Sequence, residues 1–201
     1  MDTSNITPVN VQIMPAGPGD ARDIARAIVM AVTPELCMES FGQYGASIDD
    51  VTDMFAALAA RDDTQYSYLN SLIARCPDGS SAGVVVAYDG ARLRILREVF
   101  IRMATSRLGM QFPDVIPDET GADEYYIDTL AVWPEHRGNG VAKALLRGAI
   151  ARAQAAGKPA GLLVEKDNAP ARTLYQSMGF RYMGDRNFFG TMMDHLQLPS
   201  A

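Results

Sequence analysis

Residues 136–157 read HRGNGVAKALLRGAIARAQAAG, a glycine-rich turn that passes directly into a helical pattern. Gly138, Gly140 and Ala142 leave the main chain bare where this helix begins. The first turn of a helix has unpaired N–H groups and a partial positive charge, so the stretch predicts a binding site for an anion such as phosphate. Arg137 adds a formal charge beside it. A G-x-G pair before a helix is also typical of an ordinary turn, and the neighbouring elements decide between the two interpretations.

The C-terminal half of the chain alternates strands and helices around this turn. Strand-forming residues dominate EYYIDTLAVW at 124–133 and AGLLVEKDN at 160–168. A helix is expected in APARTLYQSMG at 169–179, and a closing hairpin in FRYMGDRNFFGTMMDHL at 180–196. The turn therefore follows a strand and opens a helix.

The N-terminal half adds further strands and helices. The patterns predict a short strand within 10–20, helices at 21–32, 48–60 and 92–110, and strands at 65–76 and 81–90. The helix from Arg92 to Met110 is expected to turn a basic side to solvent, and the acidic, proline-bearing loop at 111–123 is expected at the surface. The predicted order is βααββαβαβαββ, an α/β (α+β) chain around a mixed sheet.

Composition narrows the class of protein. The chain has 201 residues, of which 48% are hydrophobic and 21% charged, so we expect one globular domain over residues 1–201. The apolar runs are too short for a bilayer and MDTSNITPVN lacks the pattern of a signal peptide, so we expect no membrane association and a cytoplasmic location. A net charge of −6 and a pI near 4.9 argue against nucleic-acid binding and suit a cationic partner. Cys37 and Cys76 have neither disulfide nor metal-ligand spacing, so no metal site is expected.

The order strand, glycine-rich turn, helix, strand, asparagine and helix resembles the GNAT family of acetyl-CoA-dependent N-acetyltransferases. The resemblance rests on LAVWPEHRGNGVAKALL at 130–146 and NAPARTLYQSMGF at 168–180, and it covers about residues 124–185. The Arg-x-x-Gly-x-Ala pattern at 137–142 fits the family's Q/R-x-x-G-x-G/A signature. The glycine patterns of dinucleotide-binding and P-loop proteins do not fit. The resemblance implies a mostly antiparallel central sheet flanked by helices, in a single acyl-CoA N-acyltransferase domain.

The resemblance also implies which residues bind acetyl-CoA, the co-substrate of the family. The coenzyme A pyrophosphate would be held by Arg137 and by main-chain amides of the turn. These amides are those of Gly138, Asn139, Gly140, Val141 and Ala142. The main chain of the preceding strand would pair with the pantetheine arm and polarise the thioester carbonyl, at Leu130, Ala131 and Val132. Asn168 would hydrogen-bond the pantetheine arm, cap the following helix, or do both.

Three residues are candidates for the chemistry. Tyr175 matches the tyrosine that lies near the coenzyme sulfur and protonates the departing thiolate, with plain core packing as the alternative. The glutamate base of the family's histone-modifying branch is replaced here by Tyr126. Glu124 and Asp128 lie two residues on either side, on the same face of an ideal strand, and either could take the substrate's proton, also through water. Either could instead be solvated or paired with an arginine. Two histidines are weaker candidates for the base, His136 and His195.

The acceptor is expected to be a primary amine of a small molecule or of a protein or peptide. Two stretches would shape its pocket, 33–46 and the long connection before residue 124. Candidate lining residues in the first stretch are Glu35, Glu39, Phe41 and Tyr44.

Three functions remain open at this point. With no recognisable activated serine or cysteine, direct attack in a ternary complex of enzyme, acetyl-CoA and amine is expected. A non-catalytic coenzyme A-binding sensor or interaction module is the first alternative, because the usual glutamate is absent at position 126. An acyltransferase for another acyl group or acceptor is the second. A homodimer formed through the closing hairpin or an exposed sheet edge is possible in each case.

Overall fold

The computed structural model describes residues 10–188 and 190–200, and it builds them around one seven-stranded sheet. The strands are β1 Gln12–Pro15, β2 Ser71–Arg75, β3 Ser81–Asp89, β4 Tyr125–Val132, β5 Ala160–Val164, β6 Arg181–Phe188 and β7 Thr191–Leu198. Their order is β1-β2-β3-β4-β5-β7-β6, and every neighbouring pair is antiparallel except β4 and β5. The mixed, mostly antiparallel sheet expected from the sequence is confirmed. Most of the N-terminal MDTSNITPVN, up to position 9, lies outside the described residues.

Helices cover both faces of the sheet. They are α1 Ala21–Val32, α2 Pro34–Phe41, α3 Ile48–Ala59, α4 Leu93–Leu108, α5 Val141–Ala155 and α6 Ala169–Ser177. Ser47 and Asp50 form a reciprocal capping box that starts α3, as their spacing predicts. Within the described part of the chain, no helix combines the length and apolar character needed to cross a membrane.

Two local predictions were wrong. The stretch 33–46, for which the predicted order contains no helix, includes α2, because Thr33 accepts a hydrogen bond from the Leu36 amide and Pro34 stands at the first helical position, where proline is favoured. The observed order therefore has one more helix, βαααββαβαβαββ. The strand expected from Gln65 starts only at Ser71, because the Asn70 side chain binds the Thr64 and Gln65 carbonyls and holds those residues in a turn.

Two hydrophobic cores lie on opposite faces of the sheet. Along β3, Val84 and Val86 face the core that contains α1, α3 and α4, whereas Val85 and Ala87 face the core that contains α5. This strand is buried on both faces, which explains its unbroken apolar sequence.

Strand β4 has two irregularities that shape the site. Val86 pairs with Thr129 and Ala87 with Ile127, so Asp128 is an extra residue, a β-bulge. The pairing of β4 with β5 covers only Tyr125–Ile127, so the second half of β4 has no partner on that side among the described strands. A gap therefore opens between the two parallel strands beyond Ile127.

Candidate active site

The turn before α5 presents free main-chain donors. Gly138 and Gly140 adopt left-handed backbone conformations, with φ of +78° and +79°. A Cβ atom at either position would meet nothing within 4 Å, so the space above the turn is open. The N–H groups from Gly138 to Ala142 donate no hydrogen bond within residues 10–188 and 190–200. Five donors at a helix N-terminus thus remain for an anion, which fits a coenzyme A pyrophosphate.

Side chains of the turn connect it to the end of β4. Arg137 Nε donates to the Val132 carbonyl over 3.2 Å, and the rest of this exposed guanidinium is available to a negative charge. Asn139 Nδ2 donates to the Arg137 carbonyl over 3.2 Å, while its buried Oδ1 has no partner among the described residues. The turn is therefore fixed relative to the strand that the pantetheine arm would follow.

Along the second half of β4, alternate residues direct their main-chain groups away from β3. The Trp133 amide donates to the Ala82 carbonyl, so Trp133 and Ala131 direct their main-chain groups towards β3. Leu130 and Val132 consequently direct theirs into the gap beside β5. Of the three residues that the family resemblance assigns to the pantetheine arm, Leu130 and Val132 face the gap, whereas the main-chain groups of Ala131 face β3.

Asn168 caps α6 in the structure. Its Oδ1 accepts a hydrogen bond from the Ala171 amide over 3.2 Å. The Nδ2 group donates to none of the described residues, so capping leaves a donor for the pantetheine arm.

Tyr175 lies on α6 and is mostly buried. Its ring packs edge-on against Phe180, with 5.8 Å between ring centroids. The hydroxyl forms no hydrogen bond in the described part of the chain. Burial raises the pKa of Tyr175 to about 12, so the hydroxyl keeps its proton at neutral pH, as a general acid must.

Asp128 is the bulge residue of β4 and is partly exposed. Its carboxylate accepts hydrogen bonds of 2.9 Å from the Tyr88 hydroxyl and of 2.9 Å from the Thr129 hydroxyl. Burial raises the pKa of Asp128, and hydrogen bonds from Tyr88, Thr129 and Gln65 limit the rise. A carboxylate whose pKa is moved towards neutrality is well suited to general base catalysis.

The sequence did not predict a role for Glu119. It belongs to the loop expected at the surface, but only 3% of it is exposed, and its Oε1 lies 3.1 Å from the Tyr88 hydroxyl. Burial and the nearby Asp128 charge raise the pKa of Glu119. The only sequence signal was the density of carboxylates in the loop, which is equally typical of a solvated segment.

Arg97 explains why this loop folds inward. The basic side of α4 was expected to be solvated, yet Arg97 is 6% exposed. Its guanidinium donates to the Pro117 carbonyl and to Asp118, each over 2.9 Å. These bonds fasten the loop to α4 immediately before Glu119.

Glu124 has different surroundings from Asp128. Its carboxylate accepts from the Thr120 hydroxyl at 2.7 Å and the Gly121 amide at 2.9 Å, and its Oε2 lies 2.8 Å from His195 Nε2. Burial raises the pKa of Glu124, but hydrogen bonds from His195, Gly121 and Thr120 outweigh it and lower the pKa to about 2. The two candidate bases share no hydrogen-bond partner among the described residues, and Glu124 is a weak base at neutral pH.

The remaining candidates have other contacts. Tyr126 is 4% exposed and packs against the Tyr88 ring, so it cannot replace the missing glutamate as a base. His195 contacts Glu124, and His136 Nε2 lies 4.0 Å from Cys76 Sγ. Phe41 is buried in the core rather than lining a cleft.

An opened parallel strand pair beside a helix start with unpaired main-chain donors is the arrangement expected of the acetyltransferases that the sequence resembles. A family model for the acetyltransferase (GNAT) family matches residues 50–180, and the chain belongs to this family. The family and fold class expected from the sequence are confirmed. Membership supports acetyl transfer with acetyl-CoA as co-substrate.

Solved structures agree with this assignment. The chain is 29% identical to an acetyltransferase of known structure, with a TM-score of 0.77 and coverage of 94% of this chain and 100% of that one. It is 23% identical to an N-acetyltransferase from Staphylococcus aureus Mu50, with a TM-score of 0.74 and coverage of 93% and 100%. It shares the fold of the NatC complex bound to Gag peptide and CoA at 20% identity, with a TM-score of 0.54 and coverage of 95% and 99%. No curated protein sequence matches the chain.

Proposed function

We propose that the protein is an N-acetyltransferase that transfers the acetyl group of acetyl-CoA to a primary amine by direct attack in a ternary complex. The observation that carries this proposal is a row of five N–H groups at the start of α5 that have no acceptor among the described residues. They lie next to an edge of β4 that pairs with none of the described strands. Acetyl-CoA supplies an activated thioester. A net charge of −6 suits a cationic acceptor, either a small molecule or a peptide amine.

Different residues would bind different parts of the coenzyme. The turn from Arg137 to Ala142 would hold the pyrophosphate through main-chain N–H groups and one guanidinium. Leu130 and Val132 would bind the pantetheine arm as an added strand, and a β4 amide would donate to the thioester oxygen as negative charge develops there. Asn168 Nδ2 would donate to the same arm.

The chemical step uses two side chains in opposite roles. Asp128 accepts a proton from the substrate ammonium, which frees the nitrogen lone pair to attack the acetyl carbon. As the new C–N bond forms and the C–S bond breaks, Tyr175 donates its proton to the sulfur, and the second proton lost by the attacking nitrogen restores the Tyr175 hydroxyl. Asp128 is preferred to Glu124 as base because the pKa of Glu124, about 2, makes it a poor proton acceptor.

The test is an acetyl-transfer assay. Purified protein is incubated with acetyl-CoA and separate polyamines, amino acids, aminoglycosides and basic peptides, and release of free thiol is followed. We expect release with at least one amine, and a fall in kcat/KM of about 100-fold or more in Asp128→Asn, the usual contribution of a general base.

Asp114→Asn is the matched control, because Asp114 is an exposed carboxylate of the neighbouring loop. It should retain wild-type turnover. Tight coenzyme A binding without thiol release from any acceptor would contradict the proposal and favour the sensor.

A further inference from the structure

The Tyr88 hydroxyl lies between two carboxyl groups. Its oxygen is 3.1 Å from Glu119 Oε1 and 2.9 Å from Asp128 Oδ2. A phenol has one hydrogen, so it can donate only one of these two hydrogen bonds. In the other, the phenol oxygen must accept, and this requires a carboxyl group that carries a proton. The geometry therefore requires that one of the two carboxyl groups, Glu119 or Asp128, carries a proton.

We propose that Glu119 carries this proton and is a positioning residue: its O–H donates to Tyr88, which directs the Tyr88 hydrogen to Asp128 and leaves Asp128 as the ionised base. This inference rests on the proposed function for the role of Asp128. The protonation of Glu119 itself does not depend on that role.

The different surroundings of the two carboxyl groups assign the proton to Glu119. Glu119 is 3% exposed, and Tyr88 is the only side chain of the described residues within hydrogen-bond distance of its carboxyl group. Asp128 is partly exposed and is also stabilised as an anion by Thr129 and Gln65. An ionised Glu119 would lack comparable donors and would face a second negative charge in the protein interior.

The charged and titratable groups around Glu119 agree with a neutral carboxyl group. The Arg97 guanidinium on α4 favours ionisation of Glu119, but it is paired with Asp118 at 2.9 Å. Asp118 and Asp128 both favour the protonated form. The other facing groups are the hydroxyls of Tyr66, Tyr88 and Tyr126, whose own pKa values are raised by burial.

The proton balance of the reaction follows directly. Asp128 takes one proton from the substrate ammonium, while Glu119 and Tyr88 keep theirs. The second proton lost by the nitrogen replaces the one that Tyr175 gives to the sulfur. Both carboxyl groups are then neutral, and the added proton leaves Asp128 for solvent before the next turnover. Glu119 thus aims the base without exchanging a proton with the substrate.

Infrared spectroscopy tests the protonation of Glu119 without reference to activity. At pH 7 the wild-type protein should show the stretching band of a protonated carboxyl group, and the band should disappear in Glu119→Gln but persist in Glu98→Gln, which changes an exposed glutamate of α4. Absence of this band from the wild-type protein at pH 7 overturns the proposal, even if the variant does not fold. If no acetyl transfer occurs with any acceptor, the proposed function fails, but the band still decides the state of Glu119.

The pH profile of kcat/KM tests the positioning role. Glu119→Gln keeps a neutral donor to Tyr88, so we expect turnover within about twofold of wild type and an unchanged acidic limb. Glu119→Leu removes the donor and should lower kcat about tenfold, equivalent to one lost hydrogen bond, with an unchanged KM for acetyl-CoA. A downward shift of the acidic limb by about one pH unit or more in Glu119→Gln would show that wild-type Glu119 is charged and would refute the proposal.

Discussion

At the scale of single residues, hydrogen-bond donors decide which buried side chains keep a charge. Glu119 and Glu124 are 3% and 1% exposed, yet burial raises the pKa of the first, whereas donors lower the pKa of the second to about 2. The difference lies in the number of donors, since Glu124 receives several and Glu119 contacts one hydroxyl. Burial is the one cause that shifts the pKa of Tyr175, and because it raises that pKa the hydroxyl keeps its proton at neutral pH. Each state matches the role that we assign to the residue.

Replacing Tyr175 by phenylalanine tests its role as the acid. The ring and its contact with Phe180 remain, so folding and coenzyme affinity should stay close to wild type. We expect kcat to fall by up to about 100-fold, because a thiolate is already a fair leaving group and gains only modestly from an acid. Steady-state kinetics and coenzyme A titration measure the two quantities; an unaltered kcat would remove Tyr175 from the mechanism.

The sequence predicted part of the site at this scale. The turn residues from Arg137 to Ala142 could be proposed from the sequence because the role expected of them depends on a local main-chain conformation that glycine makes accessible. Glu119 could not be identified, because its burial depends on Arg97 and its partner Tyr88 lies on β3, 31 positions away in sequence.

At the scale of elements, the geometry of β4 and of the start of α5 is set by different causes. The turn into α5 follows from local glycine conformations, and Gly140 is the cap residue of the helix. The bulge at Asp128 follows from the register between β3 and β4, which no pattern within β4 alone reveals. For this reason the helix start was predicted from the sequence and the bulge was not. The omission of α2 was a local error, since Thr33 and Pro34 form a recognisable helix start.

Replacing Gly140 by aspartate tests the phosphate turn. The new carboxylate would bring negative charge to the anion site, and we expect coenzyme A affinity to fall at least about 100-fold, from a repulsion of about 3 kcal/mol at close range. Calorimetric titration with coenzyme A measures the change.

Gly109→Asp is the control for backbone strain. Gly109 also has a left-handed conformation, with φ of +69° and open space at its Cβ position, but it ends α4. Both variants should lose stability by about 1–2 kcal/mol, whereas only the change at Gly140 should weaken binding. Wild-type coenzyme affinity in Gly140→Asp would refute the phosphate site.

At the scale of the whole molecule, Glu124 connects distant parts of the chain. Its carboxylate binds the loop before β4 through Thr120 and Gly121, and β7 through His195. It also lies against Gly161 on β5, where a Cβ atom would come within 2.0 Å of Oε2. We expect a buried anion with this many partners to contribute to the stability of the fold rather than to catalysis.

The stability of the protein should therefore depend on pH through Glu124. The folded pKa of about 2 lies below the ordinary 4.5, so the carboxylate stabilises the fold fully above pH 4.5 and progressively less as pH falls towards 2. Glu124→Gln should lower the free energy of unfolding by about 3 kcal/mol at pH 7 and by about half as much at pH 3. Urea denaturation at both pH values measures this difference.

Glu39→Gln, at an exposed position of α2, should change the stability little at either pH. An equal effect of Glu124→Gln at pH 7 and pH 3 would show that the pKa of Glu124 is not depressed in the folded protein.

The short contact between β4 and β5 has a further consequence for how a ligand acts on the molecule. Three residue pairs join the four strands β1 to β4 to the three strands β5, β7 and β6. An extended molecule lying in the gap beside Leu130 and Val132 would add main-chain hydrogen bonds where the ladder stops. A bound molecule would thus continue the hydrogen bonding of the sheet where the strand pairing is shortest. Its binding would therefore be coupled to how firmly the two halves of the sheet are held together.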